Sequence, residues 1–418
     1  MRSRKTFWAA CAALLSLISV QSASYAGTAF HSGHLRITNF KHFKITSPPP
    51  VQTAGTVNVR DFGATGDGTT DDTAAIQNAI AAAKANGQGV LFPAGTYLHA
   101  SVITANGVAL IGIGGASTLL ANNPASSAVI LSGVSPSIQN IVVNSGPAGN
   151  SSFGYSPNTA TLAVSGAQNF VVQGITIVQG QSRPGVILQQ SAVGQVAGVT
   201  FNSSGSGIDV GIAMDGCANT TILGNLVLNE VFGIILGTGS GFTSNSIAVI
   251  GNTVTVHDGA GISADLVFIL DIEQNQIQGL TINNTPLQIV RSSNYQISKN
   301  TISTGIIGIV AQNYNDGNTG VIFQNVIRNC DAFAASLLVS GTGASMQFLS
   351  NSFGECGLNQ AVPVLRCNAS TGPDSLVILN NVYAGHANML TSYIYSDNHV
   401  NLVAGNAQTQ TALPNSIP

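Results

Sequence analysis

Two aspartates end closely similar segments of the sequence, and their spacing suggests acid–base chemistry. Asp215 ends the segment GIAMD, Asp265 ends GISAD, and between them Gly237 ends GIILG. If each segment is a strand, alternation points residues two and four inward and the fifth residue outward. If the strands stack as successive coils, Asp215 and Asp265 lie on one outer face, two coils apart, with a gap at Gly237.

This arrangement comes close to the requirements of glycosidic bond hydrolysis, and side-chain tilt could bring the carboxyl groups into range. At ~4.8 Å per coil, residues two coils apart have backbones ~10 Å apart. Inverting glycosidases hold two carboxyl groups roughly 6.5–9.5 Å apart, one as acid and the other as base, with water beside the sugar. The pattern therefore predicts Asp215 and Asp265 as a catalytic pair. A one-residue slip in either coil would turn its carboxylate to the other face.

Other polar residues follow the same pattern. Gln189 and Gln312 occupy the position of the two aspartates in other coils, and Tyr314 lies two residues beyond. We predict that these three residues bind substrate.

The turn before the strand holds a second set of residues on consecutive coils, three acids and one histidine: Asp209, Glu230, His257 and Asp258. We predict His257 and Asp258 as catalytic, and Asp209 and Glu230 as substrate-binding. Stacked acids repel, which would raise the pKa of at least one and supply a proton donor. The alternative is structural, because Asp is a routine turn residue in the segments MDG and HDG, and His257 would then bond a neighbouring carboxylate.

The elements that must position these residues repeat along the chain. Short strands rich in Ile and Val are separated by turns that contain asparagine, at spacings of 23 to 30 residues. Coils of about 25 residues that share one core predict an all-β parallel β-solenoid, and stacked asparagines can bond to one another along its axis. The turn asparagines are Asn225, Asn252, Asn275, Asn300, Asn325, Asn351, Asn381 and Asn406.

The stretch VNVRDFGATGDGTTDDTAAIQNAIAAA, followed by GVLFPAGTYL, resembles the N-terminal module of the pectate lyase-like superfamily (rhamnogalacturonase/epimerase-like). The resemblance implies a right-handed parallel β-helix over residues 57–406, with 57–100 as its N-terminal cap module. The residues agree: Asp71 or Asp72 can cap a helix whose apolar stripe includes Ile76 and Ile80. That helix, ending near Gly87, would close the open end of the solenoid.

The resemblance also implies alternatives for chemistry. Lyases of the superfamily use an Arg or Lys base, often with calcium. Arg291, one coil beyond Asp265, is the best candidate base, and Asp209, Glu230 and Asp258 could bind Ca²⁺. Otherwise Arg291 pairs with an acid. Apart from this calcium, no cofactor or metal is predicted. The family's hydrolase and epimerase signatures (Asn-Thr-Asp, Gly-His-Gly, Arg-Ile-Lys, Asp-Pro-His) are absent. Similar proteins include trimers, so a homo-trimer is compatible with the sequence.

Composition and the chain ends bear on location and partners. With 29 charged residues among 418 and a net charge of -3, the sequence gives no reason to expect nucleic acid as a partner. Residues 1–26 have the pattern of a cleaved signal peptide, which predicts a secreted or periplasmic protein with no later membrane span. Residues 27–56 read as a linker, and residues 407–418 as a C-terminal tail.

Cys330 and Cys356 each lie five residues after a turn asparagine, so they should stack on adjacent coils within disulfide range. We predict a disulfide between them, the alternative being two free, half-buried thiols.

These features favour a polysaccharide-active enzyme, glycoside hydrolase-like or lyase-like, whose polymer lies along the outer strands. The alternative is a non-catalytic glycan-binding or adhesin-type solenoid, which the missing catalytic signatures favour. The acidic cluster separates the two, since scattered acids would favour binding.

Overall fold

The fold is known from a computed structural model that describes residues 55–123, 126–146, 156, 158–179, 183–203, 210–237, 242–314, 317–340, 343–356, 365–369, 376–384, 394–397, 402–404 and 407–409. The predicted signal peptide, nearly all of the predicted linker, Asp209 and Asn406 lie outside the described residues. Strand Ala407–Thr409 pairs with Val382–Ala384, so the described strands continue past position 406, where we expected the β-helix to end.

The described strands form a right-handed parallel β-solenoid, which confirms the predicted fold class. Every strand pairing is parallel, and the pairings join the strands into three long sheets, called here sheets A, B and C. Each coil passes through the sheets in the order A, B, C.

Sheet A comprises Thr56–Asn58, Gly89–Leu91, Ala109–Ile111, Ser137–Gln139, Val171–Gln173, Ala192–Ala197, Ala218–Leu223, Ser244–Ile250, Val267–Glu273, Ser293–Ser298, Thr319–Phe323, Ser345–Leu349, Leu376–Leu379 and Leu402–Ala404. Sheet B comprises Asp67–Asp71, Gly95–His99, Ser117–Ala121, Val142–Asn144, Thr176–Gln179, Thr200–Ser203, Leu226–Glu230, Thr253–Val256, Gln276–Gly279, Ser352–Gly354, Val382–Ala384 and Ala407–Thr409. Sheet C comprises Ile103–Asn106, Val129–Val134, Leu162–Gln168, Pro184–Gln189, Val210–Asp215, Phe232–Leu236, Ala260–Asp265, Thr285–Val290, Leu365–Ala369 and Ile394–Asp397. Two long strands, Thr301–Asn313 and Val326–Val339, run from sheet B into sheet C.

The turn between sheets A and B holds a ladder of buried asparagines, as the repeats predict. The side chain of Asn275 donates from Nδ2 to Oδ1 of Asn300 at 3.0 Å, and Asn300 donates likewise to Asn325 at 2.9 Å. The same bond joins each neighbouring pair from Asn225 to Asn381. Buried amides that satisfy one another in this way fix the register of each coil on the next.

The left-handed backbone conformation of these turns is adopted by the residue that precedes each asparagine. The residue before each asparagine has a positive φ, for example 59° at Gly224 and 54° at Lys299. This preceding residue makes the left-handed bend, and the asparagine itself turns its amide into the core.

A helix, α1, spans Thr73–Asn86 and buries Ile76, Ala79, Ile80 and Ala83 against the first strands. The two aspartates before α1 have different roles, although the sequence allowed either of them to cap the helix. Asp71 accepts the N–H of Thr73 at 3.0 Å, whereas buried Asp72 accepts the N–H groups of Thr65 (2.8 Å) and Gly66 (3.0 Å). These carboxylates therefore shape the backbone, and closure of the solenoid end by α1 stays a prediction.

Two short 3₁₀-helices, Val59–Phe62 and Gly114–Ala116, complete the described helices. No helix within the described ranges is long and apolar enough to cross a membrane.

The disulfide predicted between Cys330 and Cys356 is not formed in this structure. Both residues are buried free thiols, and each sulfur is hydrogen-bonded at 3.4 Å within its own coil, to the carbonyls of Arg328 and Gly354. The two thiols are neighbours, as predicted. A hydrogen bond with Cys356, together with burial, raises the pKa of the Cys330 thiol. The structure therefore contains the alternative, two free thiols on adjacent coils, and both are buried rather than half-buried.

Candidate functional site

Four of the predicted site residues, Gln189, Asp215, Asp265 and Gln312, lie in one column on sheet C. Gln189 pairs with Asp215, Asp265 pairs with Val290, and Val290 pairs with Gln312. The strand between the two aspartates pairs through Leu236 with both Met214 and Ala264. Asp215 and Asp265 therefore occupy equivalent positions two coils apart, with the coil of Gly237 between them.

Gly237 does more than leave a gap. Its φ is +77°, and a Cβ at this position would lie 1.8 Å from the carbonyl oxygen of Asp265. The chain bends away here directly after the strand and touches the backbone of the next coil. Only glycine fits this close approach, so the glycine fixes how the Asp265 coil stacks.

Asp215 does not face solvent as the alternation pattern predicts, because only 2% of it is exposed. The reason lies in the outer face around it. Ala160, Ile187, Val210, Ala213 and Ile235 form a buried apolar cluster separate from the main core, with Phe232 packed against it. Ile187, Ala213 and Ile235 pair in register and alternate with inward residues, so the outer face of sheet C is covered along these coils.

A sequence signal for this covered region exists. The segments GVIL, GIAM and GIIL are apolar at both alternating positions, which is typical of strands buried on both faces. In the next two coils, the equivalent outward positions hold Ser263 and Gln288, and both are partly exposed. The open part of sheet C therefore begins at the Asp265 coil.

Asp265 and Arg291 form the central polar pair of this open part. Arg291 Nε donates to Asp265 Oδ1 at 2.8 Å, and its Nη2 donates to Oδ2. The side chain of Arg291 keeps 24% of its surface exposed, and that of Asp265 keeps 27%. Hydrogen bonding with Asp265 raises the pKa of Arg291, so this guanidinium stays protonated and is poorly suited to act as a base. The pairing alternative for Arg291 is the one that the structure contains.

The backbone explains the reach of Arg291. Its φ of 50° lies in the left-handed region, directly after strand Thr285–Val290. Its N–H donates to the carbonyl of Gln312 at 3.1 Å, on the following coil, while its side chain turns back to Asp265 on the preceding coil. The arginine thus links three coils.

The predicted substrate-binding residues lie on both sides of this pair along sheet C, Gln189 three coils before Asp265 and Gln312 two coils after it. Gln189 and Gln312 are half-buried, and Tyr314, 40% exposed, follows strand Thr301–Asn313. Partial burial raises the pKa of Tyr314.

The second set of acids is less exposed than its sequence pattern suggests. Glu230 is fully buried at the end of a sheet B strand. His257 is half-buried and Asp258 exposed, in the turn that leads from sheet B into sheet C. The N–H of His257 donates to the carbonyl of Glu230 at 2.9 Å, so the two residues lie on adjacent coils.

Calcium binding by Asp209, Glu230 and Asp258 stays a prediction, because Asp209 lies outside the described residues. Calcium takes six to eight oxygen ligands, yet within the described part of the chain no three His, Cys, Asp or Glu side chains come together as a metal site. Glu230 and Asp258, the described members of the suggested set, differ as well in exposure.

The fold and sequence together place the chain in a family. A family model described as rhamnogalacturonase A/epimerase, pectate lyase-like, matches residues 56–285. Because this match covers more than half of the chain, the protein belongs to that family.

Two proteins of Azotobacter vinelandii are similar to this chain, one in sequence and one in structure. Mannuronan C5-epimerase AlgE1 of Azotobacter vinelandii is 66% identical over 41 residues, which are 10% of this chain and 3% of AlgE1. The chain thus spans a small part of the curated relatives it matches. The mannuronan C-5 epimerase AlgE6 A-module of Azotobacter vinelandii superposes with a TM-score of 0.55 at 14% identity, covering 85% of this chain and 100% of the module.

A further solved structure belongs to a different functional class. PfbA, a surface adhesin of Streptococcus pneumoniae, superposes with a TM-score of 0.52 at 14% identity, covering 84% of this chain and 91% of PfbA. At such identities, these two structures establish a shared fold and nothing finer.

Proposed function

We propose that this protein binds an extended polysaccharide along the outer face of sheet C, with the Asp265–Arg291 pair at the centre of the binding surface. The observation that carries the proposal is this partly exposed, doubly hydrogen-bonded pair, which shares its column with Gln312 two coils beyond Asp265. Sugar rings in an extended chain repeat at about 5 Å, close to the ~4.8 Å spacing of coils. Successive sugars can therefore meet successive coils.

The pair suits recognition of sugar hydroxyl groups. A carboxylate has about four lone-pair sites, so Asp265 can accept hydrogen bonds from sugar hydroxyl groups while it also accepts those from Arg291. The guanidinium of Arg291 has five N–H donors, and two of its nitrogens face Asp265. The bidentate contact holds both side chains in place before a ligand arrives, which reduces the ordering cost of binding. Tyr314 adds an aromatic surface next to this polar centre.

The family and the names of its relatives agree with a polysaccharide ligand. The curated relatives are epimerases of mannuronan, a polysaccharide. Residues 1–26, as a signal peptide, would deliver the protein to the periplasm or the exterior, where such polymers occur; this export is part of the proposal.

Hydrolysis is the second candidate function, favoured by the placement of Asp215 and Asp265 on one face, two coils apart. In this candidate, Asp265, oriented by Arg291, acts as the base toward water, and Asp215 protonates the leaving oxygen. Because Asp215 is 2% exposed, it would have to be uncovered to meet a sugar. The lyase alternative has less support, since Arg291 is held protonated by Asp265.

The test is polymer binding by the full chain and two variants, Asp265→Asn and Arg291→Gln, across a panel of polysaccharides. Losing a hydrogen bond to a charged group costs about 1.5–3 kcal/mol, so binding should weaken roughly 10- to 150-fold. The matched control is Glu273→Gln, which breaks the ion pair with Lys299 (2.7 Å) on sheet A and should leave binding unchanged. Equal binding by all four proteins would refute the proposed surface.

The same incubations separate binding from cleavage. New reducing ends that Asp215→Asn abolishes would establish hydrolysis, and ultraviolet absorbance from unsaturated uronates would establish elimination. Binding with neither signal is the outcome that the geometry favours.

A further inference from the structure

The middle of the solenoid is nearly devoid of basic side chains. Between Lys84 and Arg291 the sequence contains one Lys or Arg, which is Arg183. The same stretch contains seven acids: Asp209, Asp215, Glu230, Asp258, Asp265, Asp271 and Glu273. The formal charge of this stretch is therefore negative, although Asp215 and Glu230 are buried and Asp271 and Glu273 lie on sheet A.

The one basic residue in this stretch is buried and has a structural role. Arg183 is 2% exposed and donates to the carbonyl oxygens of Ser126 (2.8 Å) and Asn123 (3.2 Å). Burial lowers its pKa. Its guanidinium therefore holds the edge of sheet C together, and a polymer on the outer surface would not reach it.

Arg291, the next basic residue, has its charge compensated by Asp265 through two hydrogen bonds. Exposed Asp258 precedes strand Ala260–Asp265, so the length of the strand, ~17 Å, separates it from Asp265 at the other end. Among the described residues of the Asp265 and Arg291 coils, sheet C thus carries a neutralised pair and no further cation, and exposed Arg366 lies three coils further along the sheet.

A polyuronate has one carboxylate per sugar, which is about one negative charge per coil at the coil spacing. Such a polymer needs cationic partners along the sheet, because like charges repel and partner choice follows electrostatic complementarity. A polymer without charge meets no such repulsion, and its hydroxyl groups match the donors and acceptors of the pair.

We infer that the polymer bound at sheet C is a neutral polysaccharide and that the Asp265–Arg291 pair is its specificity determinant. This inference rests on the proposed function. The charge cancellation in the pair is what admits the neutral polymer, and it leaves a polyuronate without a free cation at the centre of the surface. A calcium bridge to uronates lacks a suitable group of acids among the described residues.

The experiment is calorimetric titration of the full chain with neutral glucans, polymannuronate and polygalacturonate. Each is measured at 20 and 200 mM NaCl, and the polyuronates also with CaCl₂. A neutral glucan should bind with a Kd that changes less than twofold between the two salt concentrations, since screening acts on charged pairs. The polyuronates should not bind under any of these conditions.

A single substitution gives a sharper readout. Asp265→Asn leaves the Arg291 cation uncompensated, so neutral binding should weaken at least tenfold while salt-sensitive polyuronate binding appears. Glu273→Gln releases Lys299 on sheet A in the same manner, and its polyuronate binding measures the non-specific effect of one added positive charge. The gain in Asp265→Asn should exceed it at least threefold, and an equal gain would overturn the role of the pair.

The failures of the two proposals are distinguishable. Wild-type binding to a polyuronate, with or without calcium, at an affinity equal to that for glucans overturns the neutral-polymer inference and leaves polysaccharide binding standing. Absence of binding to every polymer overturns both.

Discussion

Replacing one asparagine of the ladder should destabilise the whole solenoid measurably. Asn300 is fully buried and its side chain makes four hydrogen bonds. It donates to the carbonyl of Ile272 (2.8 Å) and to Oδ1 of Asn325 (2.9 Å). It accepts from the backbone N–H of Asn275 (2.9 Å) and from the Nδ2 of the same residue (3.0 Å).

The magnitude follows from these bonds. Asn300→Ala leaves the buried N–H of Asn275 without its acceptor, which costs about 1–3 kcal/mol, and removes three further bonds at about 0.5–1.5 kcal/mol each. The free energy of unfolding should fall by roughly 3–7 kcal/mol. With an unfolding entropy of about 2.1 cal/mol/K per residue over roughly 350 residues, Tm should drop by about 4–9 °C.

The assay is thermal unfolding followed by far-ultraviolet circular dichroism. Asn283→Ala is the matched control, because Asn283 is exposed and surface substitutions of this kind usually change stability by less than about 0.5 kcal/mol. If Asn300→Ala unfolded at the same temperature as Asn283→Ala, the ladder would not be a source of stability, and the reasoning would fail.

Three other predictions concern the backbone, a buried histidine and the thiols. Gly237→Ala should lower Tm more than Gly251→Ala, because a Cβ at 237 would collide with the Asp265 carbonyl whereas one at Gly251 meets nothing within 4 Å, at a similar φ of +62°. Burial lowers the pKa of His99, whose Nδ1 bonds the Ser101 carbonyl at 2.8 Å. The imidazole of the unfolded chain gains a proton as pH falls below its ordinary pKa of 6.5, whereas the buried one resists protonation, so the free energy of unfolding should decline from pH 7 to 5. The free energy of unfolding of His99→Asn should decline less over the same range. Cys217, Cys330, Cys356 and Cys367 are buried free thiols, so in the chain without residues 1–26, which hold the fifth cysteine, Cys11, a thiol reagent should label none of them in the folded, non-reduced protein. It should label all four in denaturant, a count that a disulfide would reduce to two.

The fold was predictable because its main determinants are local and repeat. The period of about 25 residues, the turn asparagines and the alternating Ile and Val positions each appear in the sequence many times, so an error in one coil is corrected by its neighbours. The register from Asp215 to Asp265 followed from the same repetition. The ladder bonds from Asn225 to Asn381 were predictable for the same reason.

The surroundings of the site were less predictable, because burial of an outward side chain depends on what covers the sheet. Asp215 and Asp265 have nearly identical local sequences, yet one is 2% exposed and the other keeps about a quarter of its side-chain surface. The difference arises from the apolar cluster around Ala213. The pairing of Arg291 with Asp265 depends in turn on a left-handed bend at Arg291, a conformation that nothing in the local sequence demands.

The measurement that tests polysaccharide binding at sheet C most directly is hydroxyl-radical footprinting with and without a bound neutral glucan. Tyr314 lies beside the proposed surface and is 40% exposed, while Leu226 lies on the outer side of sheet B and is 36% exposed. The proposal predicts that the glucan reduces oxidation of Tyr314 and leaves oxidation of Leu226 unchanged, and that Asp265→Asn abolishes the protection. Protection of Leu226 with no change at Tyr314 would place the polymer on a different sheet and contradict the proposal.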